Sequence, residues 1–423
     1  MLTLRLSGAT VEGEGSMRLD LTAELQDFEG EIQEWIATNT PKGLSGLVDW
    51  STPWGSMGRY QLVEEAREHP LHKEWEERLL REHFICPHWP EQYGGRGWDP
   101  IRMVLFDLAC HSAGVPRIER GMGESLVGPS LLIEGTEEQR VTFLPRIISG
   151  EDDYCQGFSE PDHGSDLAAV ETRGIVDGDE IVITGQKVWT SGAHRANMIF
   201  VLCRTDFDAP LHRGLSFVLV PFTAENNVDV RQIKMLNGIG EFSEDFFDGA
   251  RAPLFNVIGG LNNGWRVAMT ALSYERGAET TTQYLSYLPD VQELIAAARA
   301  QGRVHDEGVR QKLAWAYANV ELMRYAGLRT MSRLAHNREP GALEAINKLH
   351  WSEFHLTLGE WAIDLDDSLG LVRPDGDEYE MSRWQDLFLS SRSGTIYSGT
   401  SEIQRNIIAE RVLGLPKEPK VKG

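Results

Sequence analysis

Residues 180–185 read EIVITG, residues 197–202 read NMIFVL and residues 215–220 read LSFVLV. These apolar or alternating runs are bounded by Gly, Asp and Pro, and no helical period separates them, which is typical of antiparallel strands. The DGD turn at 177–179 is a β-hairpin signal in front of the first run. We therefore predict a central antiparallel β domain over residues 152–262.

Both flanks of this β domain carry apolar residues at helical spacing. Residues 17–151 predict an N-terminal α-helical domain, in which Thr136 caps a helix that begins with two glutamates. Residues 263–415 predict a C-terminal four-helix bundle, since helical periods return after the β domain and persist. These periods cover roughly 265–300, 307–337, 342–369 and 383–413. The fold class is α+β and multidomain, and the polar residues 1–16 precede its first helical period.

The composition excludes several classes of function. The 423 residues include 41 Lys and Arg against 64 Asp and Glu, a net charge of −23 that would repel nucleic acid. No run approaches the roughly 20 apolar residues of a membrane span, and no secretory signal precedes the first acidic residues. The four cysteines are far apart, so neither a disulfide scaffold nor a thiolate zinc site is predicted. We expect a cytoplasmic protein.

Common catalytic motifs are missing from the sequence. There is no nucleophile elbow, no Walker A loop and no HExxH. Gly121, Gly123 and Gly128 fail the dinucleotide-binding spacing and lack a βαβ context. The His and Cys residues at 83–88 are too loosely spaced to favour a zinc site. We therefore expect no resident metal.

Three loops offer chemistry but have ordinary structural interpretations as well. Residues 157–166 (GFSEPDHGSD) offer hydroxyls and amides, or form a polar turn. Residues 185–192 (GQKVWTSG) place a Trp and two hydroxyls at a strand end. In one interpretation the Trp stacks on a flat ligand and the hydroxyls bond its edge; in the other the Trp belongs to the core and a Ser/Gly turn follows it. Residues 394–405 (GTIYSGTSEIQR) begin a helix whose N–H groups hold an anion or are simply capped.

A fourth feature is Glu275, which follows a mostly apolar helical stretch and precedes Arg276. A carboxylate there is either a surface residue paired with Arg276 or a desolvated base with raised proton affinity. Helical spacing does not separate these two interpretations.

Five motifs in order resemble the acyl-CoA dehydrogenase family of flavoproteins across almost the whole chain. They are PEQYGG at 90–95, GTEEQ at 135–139, FSEP with GSD at 158–166, GQKVW at 185–189 and GTSEIQR at 399–405. Each motif is weak alone, but their order matches the α–β–α layout found independently. The resemblance implies an N-terminal helical domain, a central β domain and a C-terminal four-helix bundle.

The resemblance also implies an FAD cofactor. By position, Phe158 and Ser159 are expected to meet the flavin ring through backbone and side chain. Trp189 is expected to flank the ring and Ser191 to bond near its N5 atom. Thr400 is expected to bond FAD near the bundle, with the cofactor reaching a neighbouring subunit.

The implied reaction is α,β-dehydrogenation of an acyl-CoA thioester, with Glu275 as the base. Many family members carry the base in a Tyr-Glu-Gly-Thr run, but this chain has Ser398 at that position. Other members place a Glu one residue before a bundle-helix Arg, as Glu275 and Arg276 stand here. Ser165 occupies the position that contacts the CoA portion, and Arg276 and Tyr397 are expected to bind substrate.

Two departures from the family pattern concern partners. Residues 299–303 (RAQGR) replace the usual Arg-x-x-Phe-Gly segment, and residues 366–370 (DDSLG) replace a Gly-Gly-Asn-Gly loop. These features resemble actinobacterial members that act on steroid side chains or other bulky or branched acyl-CoAs. The active form is then either a homodimer or homotetramer, or an α2β2 complex with a homologous subunit.

The resemblance implies an electron-transfer flavoprotein as electron acceptor. Two other functions stay open at this stage. One is an oxidase or monooxygenase component on the same scaffold, and the other is a non-catalytic partner subunit of a heteromeric dehydrogenase.

Overall fold

The computed structural model describes residues 21–47, 66–274, 279–335, 343–366, 370 and 381–417. Within these residues the chain forms two compact units. The first unit comprises the described residues of 1–75, 98–117 and 277–423, and the second those of 76–97 and 118–276. The boundary therefore differs from a simple division in chain order, because part of the N-terminal helical region belongs to each unit.

The helices of the described residues follow in chain order. They are α1 Ala23–Asn39, α2 Pro70–Arg81, α3 Pro100–Ala113, α4 Gly128–Glu134, α5 Glu137–Ser149, α6 Gly264–Tyr274, α7 Glu279–Thr282, α8 Tyr284–Ala300, α9 Glu307–Ala335, α10 Leu343–Asp366, α11 Arg383–Gly394 and α12 Ser401–Ile407. Among them, no helix is long and apolar enough to cross a membrane.

The capping of α5 is as the sequence predicts. The Thr136 hydroxyl accepts from the N–H of Gln139, and the Gln139 side chain accepts from the N–H of Thr136. The helix continues through Pro145 to Ser149. Leu144 before this proline and Ile147 after it are fully buried, and their burial offsets the cost of a proline inside a helix.

The second unit is built on one sheet. Its strands are β1 Tyr154–Gly157, β2 Arg173–Asp177, β3 Glu180–Val188, β4 Met198–Arg204, β5 Leu215–Pro221, β6 Val228–Ile233, β7 Phe242–Pro253 and β8 Val257–Ile258. The strand order is β6-β7-β3-β2-β4-β5-β8, with β1 paired to β4. Most pairs are antiparallel, as predicted, but β1 and β2 each run parallel to β4. The turn at 177–179 forms the β2–β3 hairpin.

The central strands β4 and β5 are buried on both faces, which explains their continuous apolar sequence. Helix α6 begins against β5 at Gly264, where an added Cβ would stand 2.3 Å from the carbonyl carbon of Ser216. Only glycine permits this close approach of two backbones.

In the first unit, helices α8, α9, α10 and α11 enclose a shared apolar core that includes Val291, Val320, Phe354 and Leu387. The helical region predicted over 383–413 is interrupted between α11 and α12. Ser398 has φ of +51° and Gly399 has φ of +88° in this turn, and no helix accommodates such values.

All four cysteines of the chain are buried thiols, and none forms a disulfide. Cys110 belongs to the first unit, whereas Cys86, Cys155 and Cys203 belong to the second. The absence of disulfides agrees with their wide spacing in the sequence.

Candidate active site

The structure brings together two of the loops that the sequence singles out. Strand β1 ends at Gly157 and β3 ends at Val188, and the segments that follow them are neighbours. The N–H of Val188 donates to the carbonyl oxygen of Ser159 at 2.9 Å. Ser159, Trp189 and Ser191 therefore lie on adjoining, hydrogen-bonded segments of the second unit.

Trp189 is held in an uncommon conformation. Its φ is +63°, in the left-handed region, and its side chain is 59% exposed. The next residue, Thr190, exchanges two backbone hydrogen bonds with Ser243, at 3.2 and 3.1 Å. Non-glycine residues keep such a backbone only where the surroundings enforce it, and this occurs often at functional sites. The result is an exposed aromatic ring on a fixed loop, suited to pack against a planar ligand.

Phe158 presents its backbone rather than its side chain to this loop region. Its ring is buried and makes edge contacts with Phe200 and Phe217, at centroid distances of 5.5 and 6.1 Å. Only the backbone part of the interaction expected for Phe158 is therefore available. Ser159, which is half-buried, offers both a backbone N–H and a hydroxyl.

Beneath these segments lies a buried ion pair that the sequence analysis missed. The Lys187 ammonium donates to Glu160 Oε1 at 2.8 Å and to the carbonyl oxygens of Phe158 and Leu202 at 3.0 and 2.8 Å. Burial lowers the pKa of Lys187, and the nearby Glu160 opposes this shift. For Glu160, burial would raise the pKa, but Lys187 and hydrogen-bond donors outweigh it and leave the pKa lowered.

A second buried carboxyl, Asp245 on β7, was also missed. Asp245 pairs directly with Lys187 across the β3–β7 ladder. The three N–H groups of Lys187 are already used, so none remains for Asp245. Burial raises the pKa of Asp245 to about 7, and the Thr190 hydroxyl beside it opposes this rise.

The signal for both residues was their position in the alternation of the strands. Lys187 follows Ile181 and Ile183 at inward-facing positions of β3, and Asp245 shares the inward face of β7 with Phe247. A charged residue at an inward position predicts a buried charge.

Ser165 is exposed, on the segment that continues from Ser159. This segment turns back on itself, since Glu160 and His163 exchange two backbone hydrogen bonds of 3.1 Å each. The exposed position leaves Ser165 accessible to a ligand.

Tyr397 and Thr400 share one turn in the first unit, between α11 and α12. The Thr400 hydroxyl accepts from the N–H of Ile403 at 3.2 Å and caps α12, and the Thr400 side chain also hydrogen-bonds the Glu402 carboxylate. Tyr397 is exposed and lies 6.0 Å from the Trp351 ring. The buried Lys348 ammonium donates to the carbonyl of Gly394 at 2.8 Å, where α11 ends.

Glu275 and Arg276 lie outside the described residues, so their assigned roles remain predictions. Helix α6 is described up to Tyr274, the residue before Glu275. In the part of the chain that the structure describes, no group of His, Cys, Asp and Glu could hold a metal ion.

Models of the three domains of one family match this chain in order. The N-terminal domain of acyl-CoA dehydrogenase matches residues 59–151, the middle domain residues 155–248 and the C-terminal domain residues 262–413. The chain belongs to the acyl-CoA dehydrogenase family and is an oxidoreductase. The resemblance seen in the five sequence motifs is thereby confirmed.

Individual relatives match over nearly the full length. Acyl-CoA dehydrogenase IpdE1 of Mycobacterium tuberculosis is 41% identical over 398 residues, which cover 94% of this chain and 99% of the relative. A structure described as the Tcur3481-Tcur3483 steroid ACAD has a TM-score of 0.74 and 28% identity, covering 95% of this chain and all of that one. The ChsE4-ChsE5 complex of Mycobacterium tuberculosis has a TM-score of 0.73 and 26% identity, with the same coverage.

Family membership implies a flavin, and the second unit has residues that fit one. Trp189 provides an exposed aromatic face on a fixed loop. Ser159 and Ser191, neither of them fully buried, provide hydroxyl and N–H groups on the adjoining segments. A planar ring with polar edges requires this combination of an aromatic contact and several hydrogen-bonding groups.

Proposed function

We propose that this protein is an FAD-dependent dehydrogenase that introduces an α,β double bond into a bulky, steroid-derived or branched acyl-CoA thioester. The observation that carries the proposal is the pair of hydrogen-bonded segments with Ser159 on one and exposed Trp189 on the other. The steroid substrate class is supported by the description of one structural relative as a steroid ACAD.

In the proposed site, Phe158 contributes its backbone, and Ser159 and Ser191 contribute hydrogen bonds to the isoalloxazine ring. Trp189 flanks the ring, and Thr400 is a further proposed contact to FAD. When bound, FAD supplies the acceptor for the hydride that leaves the β-carbon.

Glu275 is proposed as the base that removes the α-proton of the thioester. The proton moves to its carboxylate while the Cα–Cβ bond becomes double, so the products are an enoyl thioester and a protonated carboxyl. Ser165 would contact the CoA portion, and Arg276 and Tyr397 would contact the substrate. Hydrogen bonds to the thioester oxygen would stabilise the enolate character that develops.

The active assembly is proposed to be an α2β2 heterotetramer with a homologous subunit. One structural relative is described as the ChsE4-ChsE5 complex and another carries the paired name Tcur3481-Tcur3483. Residues 299–303 also depart from the family pattern, in a segment where the resemblance implies contact with a neighbouring subunit. A homodimer or homotetramer is the alternative, and an electron-transfer flavoprotein is the proposed electron acceptor. Size-exclusion chromatography with light scattering on the chain alone would contradict the heteromer if it found an FAD-replete homotetramer.

The test of function is an anaerobic titration of the yellow protein with short, branched, long and steroid acyl-CoA thioesters. Bleaching of the flavin band by the steroid or branched class alone is the expected result. The variant Glu275→Gln should keep the flavin spectrum and lose bleaching. A flavin that no thioester bleaches would contradict dehydrogenation and favour an oxidase or monooxygenase. A colourless protein would favour the non-catalytic partner subunit.

A further inference from the structure

The Phe158–Ser159 peptide links the buried Lys187 ammonium to Ser159, a residue of the proposed flavin site. Lys187 donates to the carbonyl oxygen of Phe158 at 3.0 Å. The carbonyl oxygen of one residue and the N–H of the next belong to the same peptide plane. In a trans peptide they point in opposite directions. The N–H of Ser159 therefore points away from Lys187.

A cation at the oxygen end of a peptide makes its N–H a stronger donor, because hydrogen bonds in a chain polarise one another. This effect is largest where water is excluded, and Lys187 is fully buried. We propose that Lys187 is a positioning residue that raises the electron affinity of the bound flavin through the Phe158–Ser159 peptide. The inference rests on the proposed function, since it assumes that Ser159 faces the flavin.

Glu160 sets the size of this effect. Its carboxylate is 2.8 Å from the Lys187 ammonium, and its two oxygens also accept from the N–H groups of Glu171 and Thr172 at 2.7 and 2.8 Å. These three bonds keep the carboxylate charged inside the protein. Glu160 therefore offsets part of the positive charge that the peptide and the flavin experience.

The same ammonium joins the segments that form the site. Through Phe158, Glu160 and Leu202 it connects the segment after β1 to strand β4, while Lys187 itself stands two residues before Trp189. Loss of Lys187 would thus affect both the charge behind the flavin and the alignment of the two segments. A test must separate these two effects.

The sign of the change in reduction potential separates them. Reduction adds electron density to the flavin, so a nearby positive charge stabilises the reduced form. Lys187→Met removes the cation and should shift the flavin midpoint potential to a more negative value. Glu160→Gln removes the opposing anion and should shift it to a more positive value. A merely structural pair would not produce shifts of opposite sign.

The measurement is a spectroelectrochemical titration of the flavin-bound chain, with thermal unfolding recorded beside it. The matched controls are Lys312→Met and Asp364→Asn, which disrupt an exposed ion pair with the same 2.8 Å separation and should leave the potential unchanged. The double variant Lys187→Met/Glu160→Gln carries neither charge of the pair. Its potential should lie between those of Lys187→Met and the wild type, because Glu160 offsets only part of the effect of the cation.

Several outcomes would overturn the proposal. Shifts of the same sign in both single variants, or no shift in either, contradict a charge effect. If the single variants lose flavin and the double variant retains it with an unchanged potential, the pair serves only to stabilise the fold. A wild-type chain that binds flavin but is not bleached by acyl-CoA contradicts the proposed reaction alone. A wild-type chain without flavin contradicts both.

Discussion

Replacement of Asp245 by asparagine should make the stability of the protein less dependent on pH. Burial raises the pKa of this carboxyl from 3.8 to about 7, against the opposing effect of Thr190. A carboxyl whose pKa is higher in the folded chain than in the unfolded chain binds its proton more tightly in the folded chain. Stability is therefore lost as the pH rises from the lower value to the higher one. This is the reverse of a carboxylate stabilised by an ion pair.

The two pKa values give the magnitude. The difference between 3.8 and about 7 corresponds to roughly 4 kcal/mol of lost folding free energy well above pH 7. The linkage relation places about 2 kcal/mol of this loss between about pH 5.5 and about pH 8.5. Asparagine has nearly the same shape and does not ionise. Asp245→Asn should therefore gain about 2 kcal/mol relative to the wild type across this range.

The assay is urea unfolding of both proteins at several pH values, followed by tryptophan fluorescence and circular dichroism. Groups that both proteins share titrate alike, so their contributions cancel in the difference between the two unfolding free energies at each pH. Asp248→Asn, an exposed carboxyl on the same strand, is the matched control and should show a difference that does not change with pH. The reasoning is refuted if Asp245→Asn and the wild type respond to pH in parallel.

Three further predictions follow from single contacts. Trp189→Ala should weaken FAD binding roughly tenfold, since the exposed ring is proposed to flank the flavin, while Trp189→Phe should retain most of the affinity. Fluorescence titration of the apoprotein with FAD measures both. Gly264→Ala should destabilise the chain by about 3 kcal/mol in thermal unfolding, because the new Cβ overlaps Ser216. The control Gly30→Ala adds a Cβ that meets nothing within 4 Å and should be neutral or stabilising. Thr136→Ala should cost about 1 kcal/mol and Thr136→Ser much less, and equal losses in denaturant unfolding would contradict the capping role.

The α–β–α order of the fold was predictable because each part has its own hydrophobic period. The period does not determine which strands pair, so the parallel β1–β4 contact could not be read from the four residues of β1. Strand β3 extends to Val188, three residues beyond the predicted run. Residues 184–187 conceal this extension, because a lysine normally indicates an exposed position. Lys187 instead forms its ion pair and hydrogen bonds inside the protein.

The candidate site was predictable only as separate segments. Residues 157–166 and 185–192 were recognised by composition and motif, but their adjacency depends on the strand order β3-β2-β4 and on the pairing of β1 with β4. The left-handed backbone of Trp189 gives no sequence signal, since glycine or asparagine is the usual residue there. The roles of Glu275 and Arg276 rest on the family resemblance.

Because the four thiols are buried, their reaction with an alkylating reagent reports local unfolding of the protein. Burial raises the pKa of Cys110 and of Cys203 to about 12, so neither supplies the thiolate that alkylating reagents attack. Labelling therefore requires exposure of the thiol. Because Cys110 belongs to one unit and Cys203 to the other, peptide mapping after pulsed alkylation would time the local unfolding of each unit without any introduced probe.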